Sequence, residues 1–198
     1  MNSRPFFVLT CCLCVVALAM SLYVWELRKR AGEDSAPSAT PEVVSAPSNA
    51  TQKQVILWVA QDDSGTLKSL SLSIASSSER QRQAEDILRA LLGIYTAKGS
   101  PHPLPVGSAV RNVYFVEPGL IVIDVNSELA AGQTSGILAE ELTLTSLVQT
   151  LNANIQGISR VKFLVDGKEV DTLAGHADLS NVYDVSEFLS LARQLSSQ

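Results

Sequence analysis

A chain of 198 residues with a formal net charge of −5 is long enough for one domain with appendages. From Thr51 onward it carries 11 Lys+Arg against 16 Asp+Glu, and an acidic domain without a basic stripe makes a poor nucleic-acid binder. Its three cysteines, Cys11, Cys12 and Cys14, all precede that region, which excludes disulfides, CxxC redox chemistry and thiolate metal sites from the domain.

Residues 1–5 are a short flank containing Arg4. From Phe6 to Trp25 there is no charged residue, and these 20 positions would span about 30 Å as a helix, matching a hydrocarbon core. Tyr23 and Trp25 close the run where amphipathic rings favour the interface, and Arg28, Lys29 and Arg30 follow at headgroup level. This pattern predicts a transmembrane anchor over residues 6–25. Two other readings stand beside it. A cleaved signal peptide would use residues 6–16 as its apolar region and Ala17-Leu18-Ala19 as its cleavage site, leaving Leu22-Tyr23-Val24-Trp25 exposed at the new terminus. A lipoprotein needs a small residue before the acylated cysteine, whereas Thr10, Cys11 and Leu13 precede the cysteines here. Three cations after the segment against one before it favour, by charge alone, a domain on the cytoplasmic side.

Residues 26–50 read as a basic flank and a disordered linker, rich in Ala, Ser, Pro, Glu and Thr and too poor in apolar residues to offset ordering entropy. The domain is expected over residues 51–180, with 181–198 as a C-terminal helix or tail. Residues 54–60 are almost wholly apolar and predict a strand buried on both faces. After a turn at Asp62-Asp63-Ser64-Gly65, residues 67–74 alternate, with Leu70, Leu72 and Ile74 on an inner face. Ser76 and Glu79 have capping-box spacing. The apolar repeat Ala84, Ile87, Leu88, Leu91, Leu92 predicts an amphipathic helix stopped at Gly93, followed by a loop over 98–107.

Strands over 110–116 and 120–125 flank Glu117-Pro118-Gly119, a hairpin signal. A small-residue loop over 130–135 leads to a second helix over 136–152, with Leu144, Leu147, Val148 and Leu151 on one face. Residues 161–165 predict a further strand, and Asp166-Gly167 a two-residue hairpin returning along 170–173. Residues 185–195 read as a short terminal helix. Two strand pairs, each followed by a helix, then a third pair predict an α+β fold: an antiparallel or mixed sheet with two helices packed on one face.

No Walker loop, GxGxxG, HExxH, GxSxG or CxxC occurs. His102, between two prolines, reads as a surface loop histidine. His176, with Asp178 nearby, reads as hydrogen-bonded and structural, since three or four ligands would be needed for a metal. Asp124 interrupts an apolar strand and is expected to cap the turn at Asn126-Ser127-Glu128. Glu140 and Glu141 point about 100° apart on a helix and read as a solvated face. No nucleophile, base and oxyanion donor assemble, so no catalytic, cofactor-binding or metal residue is assigned.

The run Val113-Tyr114-Phe115-Val116 and the run from Gly119 to Leu129 resemble the central hairpin of the GerMN domain. Leu147-Val148-Gln149-Thr150-Leu151 resembles that family's helix. Val161 to Lys168 is similar to the strand and glycine turn after it, and Gly175-His176-Ala177-Asp178-Leu179 to its closing segment. The resemblance extends from about Val55 to Leu179. It implies a bacterial envelope protein, sporulation or germination related, held by a lipid or a helix in the cytoplasmic membrane with its domain on the extracytoplasmic side. It also implies a domain not known as an enzyme, with a fold likened to ring-building motifs, and hence protein–protein assembly. This chain departs from GerM in having one copy of the domain and no lipobox. The expected partners are the membrane and an envelope protein or a second copy. A ligand-binding module for cell-wall or other glycan fragments is the alternative, and a hydrolase a second alternative.

Overall fold

The sequence Gln54 to Ala60, rich in β-branched and apolar residues, builds β1 (Thr51–Gln61), which folds back on β2 (Thr66–Ser76). The computed structural model describes residues 20–22 and 51–196. The hairpin register is unbroken from Gln61↔Thr66 to Thr51↔Ser76. Its turn closes where Gly65, at φ 62°, donates its N–H to the Asp62 carbonyl at 3.3 Å. Helix α1 (Arg80–Tyr95) follows, burying Ala84, Ile87, Leu88, Leu91 and Leu92. Then come β3 (Val110–Glu117), β4 (Leu120–Val125), the short α2 (Ser127–Gly132) and α3 (Ile137–Asn154). β5 (Arg160–Val165), β6 (Tyr183–Asp184) and α4 (Val185–Ser196) complete the described residues.

The expected anchor over 6–25 and the linker lie outside the described residues, apart from Met20, Ser21 and Leu22, which are helical. Among the described residues no helix is long and apolar enough to cross a membrane.

The α+β class is as expected, but the strands form two sheets. β1 and β2 stand alone as a two-stranded sheet, while the second runs β3-β4-β5-β6. β4 and β5 are parallel, because the long crossover through α3 returns the chain in the same direction. The Asp166-Gly167 turn forms with both residues at positive φ, and Val165 and Lys168 exchange backbone bonds of 2.9 and 3.0 Å. The expected return strand over 170–173 does not pair along β5. The Leu173 N–H instead donates locally to the Ala177 carbonyl at 2.9 Å, and β6 takes the edge of β5 beside Arg160 and Val161.

Several local expectations are corrected. Helix α1 passes Gly93 and ends at Tyr95, with Thr96 donating its N–H to the Leu92 carbonyl. Ser76 is buried and does not cap; Ser77 Oγ accepts the Glu79 N–H instead. The stretch begun at Asn126 is helical, since Asn126 Oδ1 accepts the Leu129 N–H at 3.2 Å and N-caps α2. In β2, Leu70 and Leu72 remain 45% and 39% exposed, because cover over that face stops at Val55, Leu57 and Val59 of β1.

The core joins β1, α1 and α3 to the inner residues of β4 and β5, among them Ile121, Ile123, Val161 and Phe163. Helix α3 is buried on nearly every side, polar positions included: Thr143, Thr145, Ser146 and Thr150 are inaccessible. Thr143, Ser146 and Thr150 use their hydroxyls in hydrogen bonds, while the buried Thr145 Oγ1 has no partner. The outward N–H of Trp58 donates to Thr150 Oγ1 at 2.9 Å and that of Ile56 to Asn154 Oδ1 at 3.0 Å. Asn154 Nδ2 returns a bond to the Ile56 carbonyl, and the Ala60 N–H reaches the Tyr95 hydroxyl at 2.8 Å. Helix side chains thus satisfy the free edge of β1 in place of a neighbouring strand.

Candidate functional site

The N-terminal half of α3 gathers both histidines of the chain. Gly136, at φ 156° and ψ 143°, brings the backbone into the helix, and Glu140 lies one turn on. The Glu140 side chain is fully buried. Its Oε1 accepts the Gly136 N–H at 3.1 Å and the His176 Nδ1–H at 2.9 Å. Its Oε2 accepts the N–H groups of Ala174, His176 and Ala177 at 3.2, 2.9 and 2.7 Å. Burial pushes this carboxyl up, but the N–H of Ala177, the His176 ring and the N–H groups of Gly136 and His176 outweigh it. The result is a carboxyl brought down to about 2. Glu140 is therefore not part of a solvated face: it is the anion around which residues 174–177 are wrapped.

His102 occupies the other side of the same helix. It is 2% exposed, so the expected surface position is corrected. Its Nδ1–H donates to Asp62 Oδ1 at 2.5 Å and its Nε2 lies 2.8 Å from Thr143 Oγ1. The ring meets the edge of Tyr95 at 4.9 Å between centroids. Asp62 adds a backbone bond, its N–H donating to the Pro101 carbonyl at 3.0 Å. The loop between α1 and β3 is thereby pinned to the β1–β2 turn and to α3. Thr143 Oγ1 is also 2.7 Å from Gln133 Oε1 and 3.0 Å from the Ala139 carbonyl.

Asp124 is buried and accepts the Gly167 N–H at 2.8 Å, so it holds the turn after β5 and not the one after its own strand. Asn126 serves that nearer turn. Arg111 bonds Asp166 at 2.8 Å on the same side, holding the Asp166 carboxyl below its usual range. Asp178 does not engage His176; it accepts from the Ser180 hydroxyl and N–H at 2.6 and 2.8 Å. Lys162, 8% exposed, donates to the Ser180 carbonyl at 2.5 Å.

Two arrangements invite comparison with an acid–histidine–hydroxyl relay. Asp62, His102 and Thr143 have the correct wiring, with acid and hydroxyl on opposite ring nitrogens, but His102 and Thr143 are closed to any substrate. Of Glu140, His176 and Ser135, the last two are reached from solvent, yet Ser135 Oγ at 3.3 Å and the buried Glu140 share the same nitrogen, Nδ1. That nitrogen donates its proton to Glu140, and the Ser135 hydroxyl donates to the Ala174 carbonyl at 3.0 Å. Neither group has a base aimed at an accessible hydroxyl. Among the described residues, no three His, Cys, Asp or Glu side chains cluster to hold a metal.

The sequence singled out His176 as structural, and it is hydrogen-bonded as expected. It missed Glu140 as the partner. The available signal was Gly136 one turn before Glu140, with the small residues Gly175 and Ala177 able to bring their backbone close.

The Germane family model, described as "Sporulation and spore germination", matches residues 36–171. The chain belongs to this family. The Germane fold is also that of the tandem GerMN domains of the sporulation protein GerM from Bacillus subtilis, at a TM-score of 0.52 and 18% identity. That match covers 69% of this chain and 48% of the other, so the chain spans about half the length of the tandem. The first GerMN domain of GerM alone gives a TM-score of 0.45 and 20% identity over 64% of this chain and 92% of that one. A Clostridium perfringens chain described as a lipoprotein gives 0.47 and 17%, over 76% and 95%. No curated protein matches the chain.

Proposed function

We propose that this Germane chain is a non-catalytic envelope protein, tethered to the cytoplasmic membrane by its N-terminal apolar segment, whose extracytoplasmic domain mediates protein–protein assembly. The tether rests on the uncharged run from Phe6 to Trp25. The observation that carries the assembly reading is how the domain uses its groups. Its histidines and the buried Glu140 clamp loops to α3, while Leu70 and Leu72 stand exposed on one face of the β1–β2 hairpin and Ile56 on the other. Exposed apolar side chains grouped on one element mark contact surfaces. A sporulation or germination role follows the family's description. Crosslinking of the full chain in membranes, read by mass spectrometry, should recover a specific partner or an oligomer. Recovery of monomer alone would contradict the reading.

A glycan-binding role has one observation in its favour. Trp58 lines a groove of about 590 Å³ together with Lys68, Ser69, Gln149 and Arg193, and behind it the Gln149 Oε1 is buried with no hydrogen-bond partner. An aromatic wall beside amide, hydroxyl and cationic groups is the kind of surface a sugar uses. Retention on isolated peptidoglycan that Trp58→Ala abolishes would support it, and no retention would remove it.

A further inference from the structure

The four outer strand edges of the two sheets are treated differently. That of β1 is sealed by Asn154, Thr150 and Tyr95. That of β3 is broken by two register shifts, and its Val113 N–H is taken by Glu85 Oε1 at 3.2 Å. β6 is two residues long. Short, bulged or covered edges are the usual defences against strand addition. β2 is neither short nor bulged. It runs eleven residues in unbroken register with β1, carries Lys68 as its one charge, and leaves Ser69, Ser71 and Ser73 exposed, with α4 packed beside Leu67, Lys68 and Ser69 at one end of the strand.

Which groups it presents follows from β1. The N–H groups of Ile56, Trp58 and Ala60 point away from β2, since they bond helix side chains. Residues directly opposite in an antiparallel pair share one orientation. Ser71, Ser69 and Leu67, the partners of those three, therefore turn their N–H and C=O groups outward, and by alternation so do Ser73 and Ala75.

We propose that this edge pairs with the β2 edge of a second copy of the chain, antiparallel, about a two-fold axis at Ser71. This rests on the assembly reading and names its surface. The strand is self-complementary in that register. Ser71 meets Ser71 of the other copy and Ser69 meets Ser73, as hydrogen-bonded pairs made of outward groups. Leu70 then falls opposite Leu72 in a non-hydrogen-bonded pair, where side chains approach closest. Both leucines are half-exposed in the single chain and lie on the face that buries Val55 and Leu57. Pairing extends that apolar face across four strands. Lys68 lies opposite Ile74, so no two like charges face one another.

The test uses the full chain with Cys11, Cys12 and Cys14 replaced by serine, in membranes and in detergent. Ser71→Cys should form a disulfide-linked homodimer under mild oxidation, while Arg82→Cys on the exposed side of α1 should not. Ser71→Pro removes one outward N–H and no bond to β1. It should raise the dimer dissociation constant at least about tenfold with the thermal melt unchanged. Ser71→Cys crosslinking no better than Arg82→Cys, a dimer unaffected by Ser71→Pro, a chain monomeric throughout, or Ser71→Cys joining a different protein would each overturn the proposal. Crosslinks recovered in membranes through other residues would leave the assembly reading standing while this edge falls; their absence as well would end both.

Discussion

Glu140 Oε2 accepts the Ala177 N–H at 2.7 Å across 37 residues of chain, the shortest of five bonds that converge on one buried carboxylate. An anion in that position organises residues 174–177 as a metal ion would organise carboxylates, with the charges reversed. Glu140→Gln puts an amide NH₂ where backbone donors point and removes the charge. We expect a loss of about 3 kcal/mol of unfolding free energy, read by denaturant titration.

The same group sets an acid limit. Its folded-state value, about 2, lies below the ordinary 4.5, so its contribution is present above about 4.5 and is lost as pH falls through about 2. The contribution is on the order of 3 kcal/mol. Thermal melts should fall steeply between pH 4.5 and 2 in the parent chain and more shallowly in Glu140→Gln. Equal slopes would show that Glu140 is not the group responsible.

The His102 clamp is predicted to be structural in a way that separates hydrogen bonding from charge. His102→Ala leaves a cavity beside Tyr95 and removes the ring's bonds to Asp62 and Thr143, for a loss of about 2–4 kcal/mol. Asp62→Asn keeps an oxygen acceptor for the Nδ1–H, so it should cost less than about 1 kcal/mol. Comparable losses in the two variants would mean that the Asp62 charge, and not its acceptor, holds the loop.

Sealing of β1 is testable by an isosteric change. Thr150→Val keeps the shape of the buried side chain and deletes the acceptor of the Trp58 N–H. A loss of about 1–3 kcal/mol is expected, with that amide exchanging faster with solvent hydrogen. Unchanged exchange at Trp58 would refute the seal.

At the β3–β4 turn, Gly119 has φ +83°, and a Cβ there would collide with Ser159 Oγ. Gly119→Ala should cost about 1–3 kcal/mol for that conformation and contact together. Pairing it with Ser159→Ala should recover part of the loss.

Local features of this fold were legible. The Asp62–Gly65 and Glu117–Gly119 turns, the apolar stripe of α1 and the Asp166-Gly167 turn all follow from neighbours in sequence. Two features were not. The division into two sheets depends on Ile56 finding Asn154, 98 residues away, in place of a strand. The fate of Glu140 depends on backbone donors supplied by a segment whose own sequence has no regular period. Helix α3 misled for a related reason: it is buried on most sides, so Glu140 reads as part of a solvated face when it is buried and hydrogen-bonded inside. His102 looked exposed because prolines flank it, although its ring turns inward onto Asp62 and Thr143.

The central claim is that this Germane domain works by contact and not by chemistry. Crosslinking of the full chain in its own membrane tests it most directly, with the joined residues mapped by mass spectrometry. The account predicts discrete species above the monomer whose crosslinks concentrate on the β1–β2 hairpin. A monomer free of specific crosslinks would contradict it.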